Sequence, residues 1–243
     1  MLENLSIVIP VLNEERYISK LLNSISKQVG YKNLEVIVVD GLSEDNTIST
    51  VESFHSKIEN LCITSSKRGI GYQRNIGAKK AKYDHLLFLD ADVILPDNFI
   101  EKLFPKVDSD EQFVAFIDFR ITEYDILSNL IFWVIYPFTL SIIYHYKLTP
   151  GFALLTTLNN HRKIKGFRED MLIAEDHDYG ERSIKAGTKY KFIMDPVIFY
   201  SIRRAKKMGK VNFLLFHLKL LLFMKKNGLR SLGKYFEYPY GDY

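Results

Sequence analysis

The sequence predicts an α/β protein with a mostly parallel central sheet and helices on both faces. Three observations predict it. Apolar runs at Leu5–Leu12, Leu34–Val39, Leu61–Thr64 and Leu86–Leu89 alternate with helix-patterned segments, four times in about 90 residues. Right-handed crossovers between such units carry Pro10–Leu12, Asp40 and Asp90–Asp92 to one edge of the sheet. Finally, 243 residues, 47% hydrophobic and 26% charged, suffice for one large α/β domain or two small ones with a real core.

Taken in order, Leu5–Leu12 reads as a buried strand, with Asn13 as the cap of a helix over Glu14–Lys27. Leu34–Val39 is a second strand ending in Asp40-Gly41. Ser43, Asp45 and Thr47 then supply turn and cap chemistry before a helix over roughly Asn46–Lys57. Leu61–Thr64 is a short third strand, and Gly69-Ile70-Gly71 precedes a helix through about Ala81. The fourth run, Leu86–Leu89, ends in Asp90-Ala91-Asp92. In an extended chain the side chains at i and i+2 share a face, so Asp90 and Asp92 point the same way. A hard dication, Mg²⁺ or Mn²⁺, is the usual relief of their repulsion. The competing reading has two acids facing water at a strand end. Asp97 is expected to cap the next helix and Gln112–Arg120 to form a further strand.

Several absences narrow the function. There is no G-x-G-x-x-G after the first strand and no G-K-[ST] loop, so a bound nucleotide would be held by acids and a metal rather than by a glycine-rich turn. Cys62 is the only cysteine, which fits a reducing cytoplasm, and the N-terminal residues do not read as a signal peptide. Ser201–Phe236 contains ten Lys and Arg and no acid. That asymmetry suggests a phosphate ligand or a membrane surface, not nucleic acid.

Four stretches in fixed order carry a family resemblance. They are Ser6-Ile7-Val8-Ile9-Pro10-Val11-Leu12-Asn13-Glu14-Glu15; Val39-Asp40 with Ser43, Asp45 and Thr47; Arg68 with Gln73-Arg74-Asn75-Ile76-Gly77-Ala78 and Ala81; and Leu89-Asp90-Ala91-Asp92. Together they resemble the inverting family-2 glycosyltransferases with the GT-A fold, over about residues 5–205. The resemblance implies a nucleotide-diphosphate-sugar donor. Pro10, Val11, Leu12, Asn13 and Asp40 would contact base and ribose, Asp90 the ribose and metal side, and Asp92 the Mn²⁺ or Mg²⁺ bridging the diphosphate. Glu14, Arg68, Arg74, Asn75 and Ala91 would complete the donor site. Gly41 and Leu42 replace the second acid and the small residue often found after the first acid, which leaves the base open.

Gly166-Phe167-Arg168-Glu169-Asp170, followed by Ala174-Glu175-Asp176-His177-Asp178, resembles the acceptor-side block of the same family. There Asp176 would be the general base and Glu175 would orient the acceptor or the base. The competing reading makes the acids helix-start residues. Arg203 and Arg204, after a strand at Val197–Tyr200, suit a bidentate grip on a diphosphate, or else a membrane surface.

The expected organisation is one domain over 1–205, with a nucleotide half to about 120 and an acceptor half after it, plus a basic amphipathic helical extension over 206–243. Ile126–Tyr144 is apolar enough to meet a bilayer, as an interfacial or re-entrant segment, or else forms core. Val211–Met224, bracketed by lysines, is expected to lie on the cytoplasmic face of an anionic membrane near a lipid-linked acceptor, or else to form core or a homodimer interface. Two other functions compete: a haloacid-dehalogenase-type phosphohydrolase with Asp90 as nucleophile, and a non-catalytic, membrane-associated nucleotide-sugar-binding protein.

Overall fold

The computed structural model describes residues 4–28, 33–107, 111–122, 126–171, 173–201 and 203–209, and beyond these 212, 213, 215, 216, 219, 222 and 223; of 126–135 and 204 it describes the backbone only. The chain opens with β1 (Leu5–Val11), α1 (Ile18–Ser26), β2 (Leu34–Asp40), α2 (Thr47–Glu52), β3 (Leu61–Ser65), α3 (Ile70–Lys80) and β4 (His85–Leu89). A two-residue β5 (Val93–Ile94), α4 (Phe99–Leu103), β6 (Phe113–Ile121) and α5 (Ile126–Tyr146) follow. β7 (Ala153–Thr157), α6 (Leu158–Lys163), α7 (Glu175–Lys185), β8 (Lys189–Tyr200) and α8 (Arg203–Met208) come next, and a short 3-10 turn at Phe104–Lys106 follows α4.

The sheet order is β3-β2-β1-β4-β7-β6-β8-β5. β3, β2, β1 and β4 run parallel, as alternation of strand and helix demands. β7 then enters antiparallel between β4 and β6, while β6 and β8 are parallel to each other. The sheet is therefore mixed, and its antiparallel insertion joins β6 and β8 to the acid-tipped β4. β1 and β4 are buried along their whole length, which accounts for their uninterrupted apolar reading. α3 packs against β1 and β2 so closely that a Cβ on Gly77 would stand 2.2 Å from Val8 Cγ1.

Two helix starts and one helix end differ from expectation. α1 begins at Ile18 because residues 14–17 form a turn, with the N–H groups of Tyr17 and Ile18 both bonded to Glu14 O. Asn13 does not cap it. Its backbone is left-handed (φ 55°), and its Oδ1 accepts the Glu44 N–H at 2.8 Å, tying the end of β1 to the β2–α2 loop. α2 stops at Glu52, and α4 follows Asn98, not Asp97, as its flanking residue.

α5 continues through Pro137 to Tyr146. It is fixed to β6 where the Tyr136 hydroxyl donates to Asp118 and accepts from Arg120, which pairs with Asp118 at 2.9 Å. Phe138, Tyr144 and Tyr146 on the same helix are exposed. Among the described residues no helix is long and apolar enough to cross a membrane. Most of Val211–Met224 lies outside the described residues; Leu215 and Leu222 within it are exposed.

Candidate active site

The carboxyl ends of β1, β2 and β4 form the edge where an open α/β sheet takes its ligand. Gln73, fully buried on α3, braces that edge by donating to Val11 O at 2.8 Å and to Val39 O at 2.7 Å. Asp40 closes β2 and accepts from the Ser43 N–H (3.1 Å) and hydroxyl (2.6 Å). The Asn13 N–H in turn donates to Ser43 Oγ at 3.0 Å. Pro10, Val11 and Leu12 are buried, so they shape this edge from beneath. Arg68 sits exposed at its rim, paired with Glu44 at 2.6 Å.

Asp90 and Asp92 do not continue an extended strand. They occupy a turn in which the Val93 N–H bonds to Asp90 O at 3.3 Å, and Ala91 is buried between them. Each acid has its own arginine. Asp90 Oδ1 accepts from Arg74 Nη2 at 3.0 Å, while Asp92 Oδ2 lies 2.8 Å from Arg203 Nε. Arg203 also donates to both oxygens of Glu14 at 2.6 Å and lies over the Tyr17 ring, 4.3 Å from its centroid. Arg203, expected at a diphosphate, is here paired with the buried Glu14 and Asp92. The side chain of Arg204 lies outside the described residues.

Among the described residues no group of three His, Cys, Asp or Glu is placed to hold a metal ion. Two carboxylates still suit Mg²⁺ or Mn²⁺, which take one or two such ligands and fill the rest of their shell from phosphate oxygens and water. Asp90 and Asp92 fit that donor set, and the arginines on each show that this edge already accommodates positive charge.

The acidic run Glu175–Asp178 enters at the start of α7. Ala174 precedes it in a left-handed conformation (φ 59°), which turns Glu175 and Asp176 inward at the helix start. Arg74, 1% exposed, joins the two halves: Nη1 meets Glu175 Oε1 at 2.9 Å, and Nη2 meets both Asp90 and Gly151 O. Burial, reinforced by the neighbouring Asp176 charge, pushes the Glu175 carboxyl up to about 7; Arg74 opposes that shift without cancelling it. Asp176 remains partly exposed, with Oδ2 accepting the Gly151 N–H at 2.5 Å and Oδ1 the His177 N–H at 2.7 Å. Asp178 is committed elsewhere, to Arg182 at 2.6 Å and Arg168 at 3.4 Å.

Asn75, expected in the donor site, is bonded to the 167–169 segment. Its amide donates to Phe167 O at 2.9 Å and accepts the Phe167 N–H at 2.8 Å. The sequence carries Gln73 within the Arg68–Ala81 stretch without marking it as the brace of this edge, and it does not single out Thr149 or Gly151.

Residues 6–173 match the family described as "Glycosyl transferase family 2". The poly(ribitol-phosphate) beta-N-acetylglucosaminyltransferase TarS of Staphylococcus aureus (strain MW2) is 28% identical over 205 residues, covering 82% of this chain and 35% of TarS. The poly(ribitol-phosphate) beta-glucosyltransferase of Bacillus spizizenii is 38% identical over 92 residues, 36% of this chain and 14% of that one. The crystal structure of S. aureus TarS 1-349 in complex with UDP-GlcNAc has the same fold, with a TM-score of 0.66 at 23% identity, covering 82% of this chain and 59% of that chain. A mannosyltransferase from Pyrobaculum calidifontis, in complex with GDP-Man and Mn²⁺, gives a TM-score of 0.62 at 20% identity, over 81% of this chain and 56% of that chain. The chain spans about a third of the length of TarS. With the sheet, its acid-tipped edge and the matched residues in agreement, the chain belongs to glycosyl transferase family 2.

Proposed function

We propose that the chain transfers a sugar from a nucleotide-diphosphate donor to an acceptor hydroxyl or phosphate, with inversion. One observation carries this reading: Arg74 holds Asp90 of the donor edge and Glu175 of the acceptor block on a single guanidinium. The donor edge and the segment carrying the candidate base are therefore held side by side. In a single displacement, Asp176 takes the proton of the acceptor as the acceptor oxygen bonds to the anomeric carbon. The bond from that carbon to the diphosphate breaks in the same step. Asp90 and Asp92 are the residues that would hold Mn²⁺ or Mg²⁺, which supplies positive charge to the leaving diphosphate. Asp40 would meet the nucleoside. Complexes of family relatives with UDP-GlcNAc and with GDP-Man support a nucleotide-sugar donor of this class.

The reading is tested by thermal shift against UDP-GlcNAc, GDP-Man and dTDP sugars with and without Mn²⁺, followed by turnover of whichever donor raises the midpoint. Asp176→Asn should lower turnover about 100- to 10,000-fold and leave donor affinity nearly unchanged. Unaltered turnover in that variant overturns the assignment of the base. The phosphohydrolase reading is disfavoured by the family match and by β4 standing fourth in the chain.

The same proposal includes peripheral attachment to an anionic membrane surface at the cytoplasmic face. Exposed Phe138, Tyr144 and Tyr146 of α5, together with exposed Lys206 and Lys207 of α8, are its support. Such attachment would bring the site to a lipid-linked acceptor.

A further inference from the structure

Thr149 and Gly151, in the segment joining α5 to β7, close on Asp176 at two points. The Thr149 hydroxyl donates to the Asp176 carbonyl at 2.6 Å, and Thr149 is fully buried. The Gly151 N–H takes the Asp176 carboxylate at Oδ2. Two glycines give this grip its room. A Cβ on Gly151 would stand 2.8 Å from Arg74 Nη2 and 2.9 Å from Asp176 Oδ2, and a Cβ on Gly180 would stand 2.2 Å from Thr149 Oγ1. The segment is itself pinned, since the Leu148 N–H donates to Ile143 O at 2.9 Å and Leu148 O accepts from the Tyr190 hydroxyl at 2.9 Å.

We propose that Thr149 and Gly151 are positioning residues that hold the Asp176 carboxylate for proton abstraction. The inference rests on Asp176 being the base. A carboxylate offers about four acceptor sites. The N–H groups of Gly151 and His177 take one on each oxygen, which fixes the rotation of the group and leaves acceptor capacity for a substrate proton. Thr149 fixes the backbone of the same residue, so side chain and main chain are located together. Gly151 extends the arrangement to the donor side, because its carbonyl accepts from the Arg74 nitrogen that also meets Asp90. Reacting groups displaced by about 1 Å can lose on the order of 100-fold in rate, so a grip of this kind is large enough to measure.

The test uses Thr149→Val, which removes the hydroxyl at nearly constant shape, and Thr149→Ser, which keeps it. Both are made in the parent and in Asp176→Asn. Release of UDP from UDP-GlcNAc with Mn²⁺ is measured in all of them. The Gly151 amide is followed in parallel by NMR of ¹⁵N-glycine-labelled protein, an arm that needs no turnover. Thr149→Val is expected to lower kcat about tenfold or more with the donor KM unchanged, and Thr149→Ser to recover most of that loss. In the Asp176→Asn background Thr149→Val should add nothing, whereas a purely structural role would cost the same factor in both. The Gly151 amide proton should lie downfield and move upfield in both Asp176→Asn and Thr149→Val. An equal penalty in both backgrounds, or a Gly151 amide indifferent to both changes, overturns the proposal. Full activity of Asp176→Asn instead removes the base assignment on which it rests.

Discussion

Arg203 Nε lies 2.8 Å from Asp92 Oδ2, while the remaining nitrogens of the same guanidinium take both oxygens of Glu14 at 2.6 Å. All three residues are buried. Arg203→Gln therefore removes the arginine from two buried carboxylates. Breaking a buried pair of this kind costs about 3–5 kcal/mol, which a urea titration resolves easily. If Asp92 binds Mn²⁺, the metal should raise the urea midpoint of the variant by more than it raises that of the parent. Equal stability of variant and parent, or equal Mn²⁺ shifts, would count against this arrangement.

Glu175 predicts a pH signature with a definite sign. Its carboxyl titrates near 4.5 when unfolded and about 7 when folded, so between those values the folded state holds more protons. Stability contributed by this group is present below the unfolded value and is lost as pH rises toward 7, at about 1.4 kcal/mol per unit. His161 has the opposite sense. Burial, then the Arg182 charge, lowers it to about 4, so its contribution is lost as pH falls below 6.5. The two effects partly cancel in the parent, and a difference measurement separates them. The Tm of Glu175→Gln minus that of the parent should grow more positive from pH 5 to about 8. A difference independent of pH would contradict the raised folded value.

Gly77→Ala sets helix propensity against packing. Alanine improves an α-helix interior by about 1 kcal/mol. At Gly77, however, the new Cβ would stand 2.2 Å from Val8 Cγ1 and 3.2 Å from Val39 Cγ2, and both valines are fully buried. Overpacking typically costs about 1–3 kcal/mol, so the net change should be destabilising. Chemical denaturation of the purified variant decides the sign, and a gain in stability would show that α3 is less closely seated than described.

Membrane attachment is tested by flotation. The chain should float with anionic liposomes and not with neutral ones, and high salt should weaken the interaction. Lys206→Gln with Lys207→Gln should reduce binding, since each basic residue near an anionic surface contributes about 1 kcal/mol. Phe138→Ser should weaken it without altering salt dependence. A chain that ignores anionic liposomes would end this part of the proposal and leave sugar transfer standing.

The sequence by itself determined the parallel half of the sheet and the acids at its edge. Those features are local: an apolar run, then a turn, repeated at βα spacing. Burial of β1 and β4 on both faces writes itself into uninterrupted Leu, Ile, Val and Phe. Asp40, Asp90 and Asp92 were found because each follows such a run. The start of α7 was legible in another way, as a run of acids suited to a helix start.

Only the tertiary structure decided how those residues are partnered. Asp90 and Asp92 looked like one pair, because alternation along an extended strand puts i and i+2 on one face. The turn after β4 breaks that alternation, and the acids go separately to Arg74 and Arg203. Arg74 meets Glu175 across 101 residues of sequence, and Arg203 meets Glu14 across 189. No local pattern encodes a contact at such separations. They exist because α3 is seated on β1 and β2, β7 is inserted between β4 and β6, and α8 returns the chain to the first turn. The same packing gives Asn75 to Phe167 and raises Glu175, since burial is a property of what surrounds a residue and not of the residues beside it in the chain.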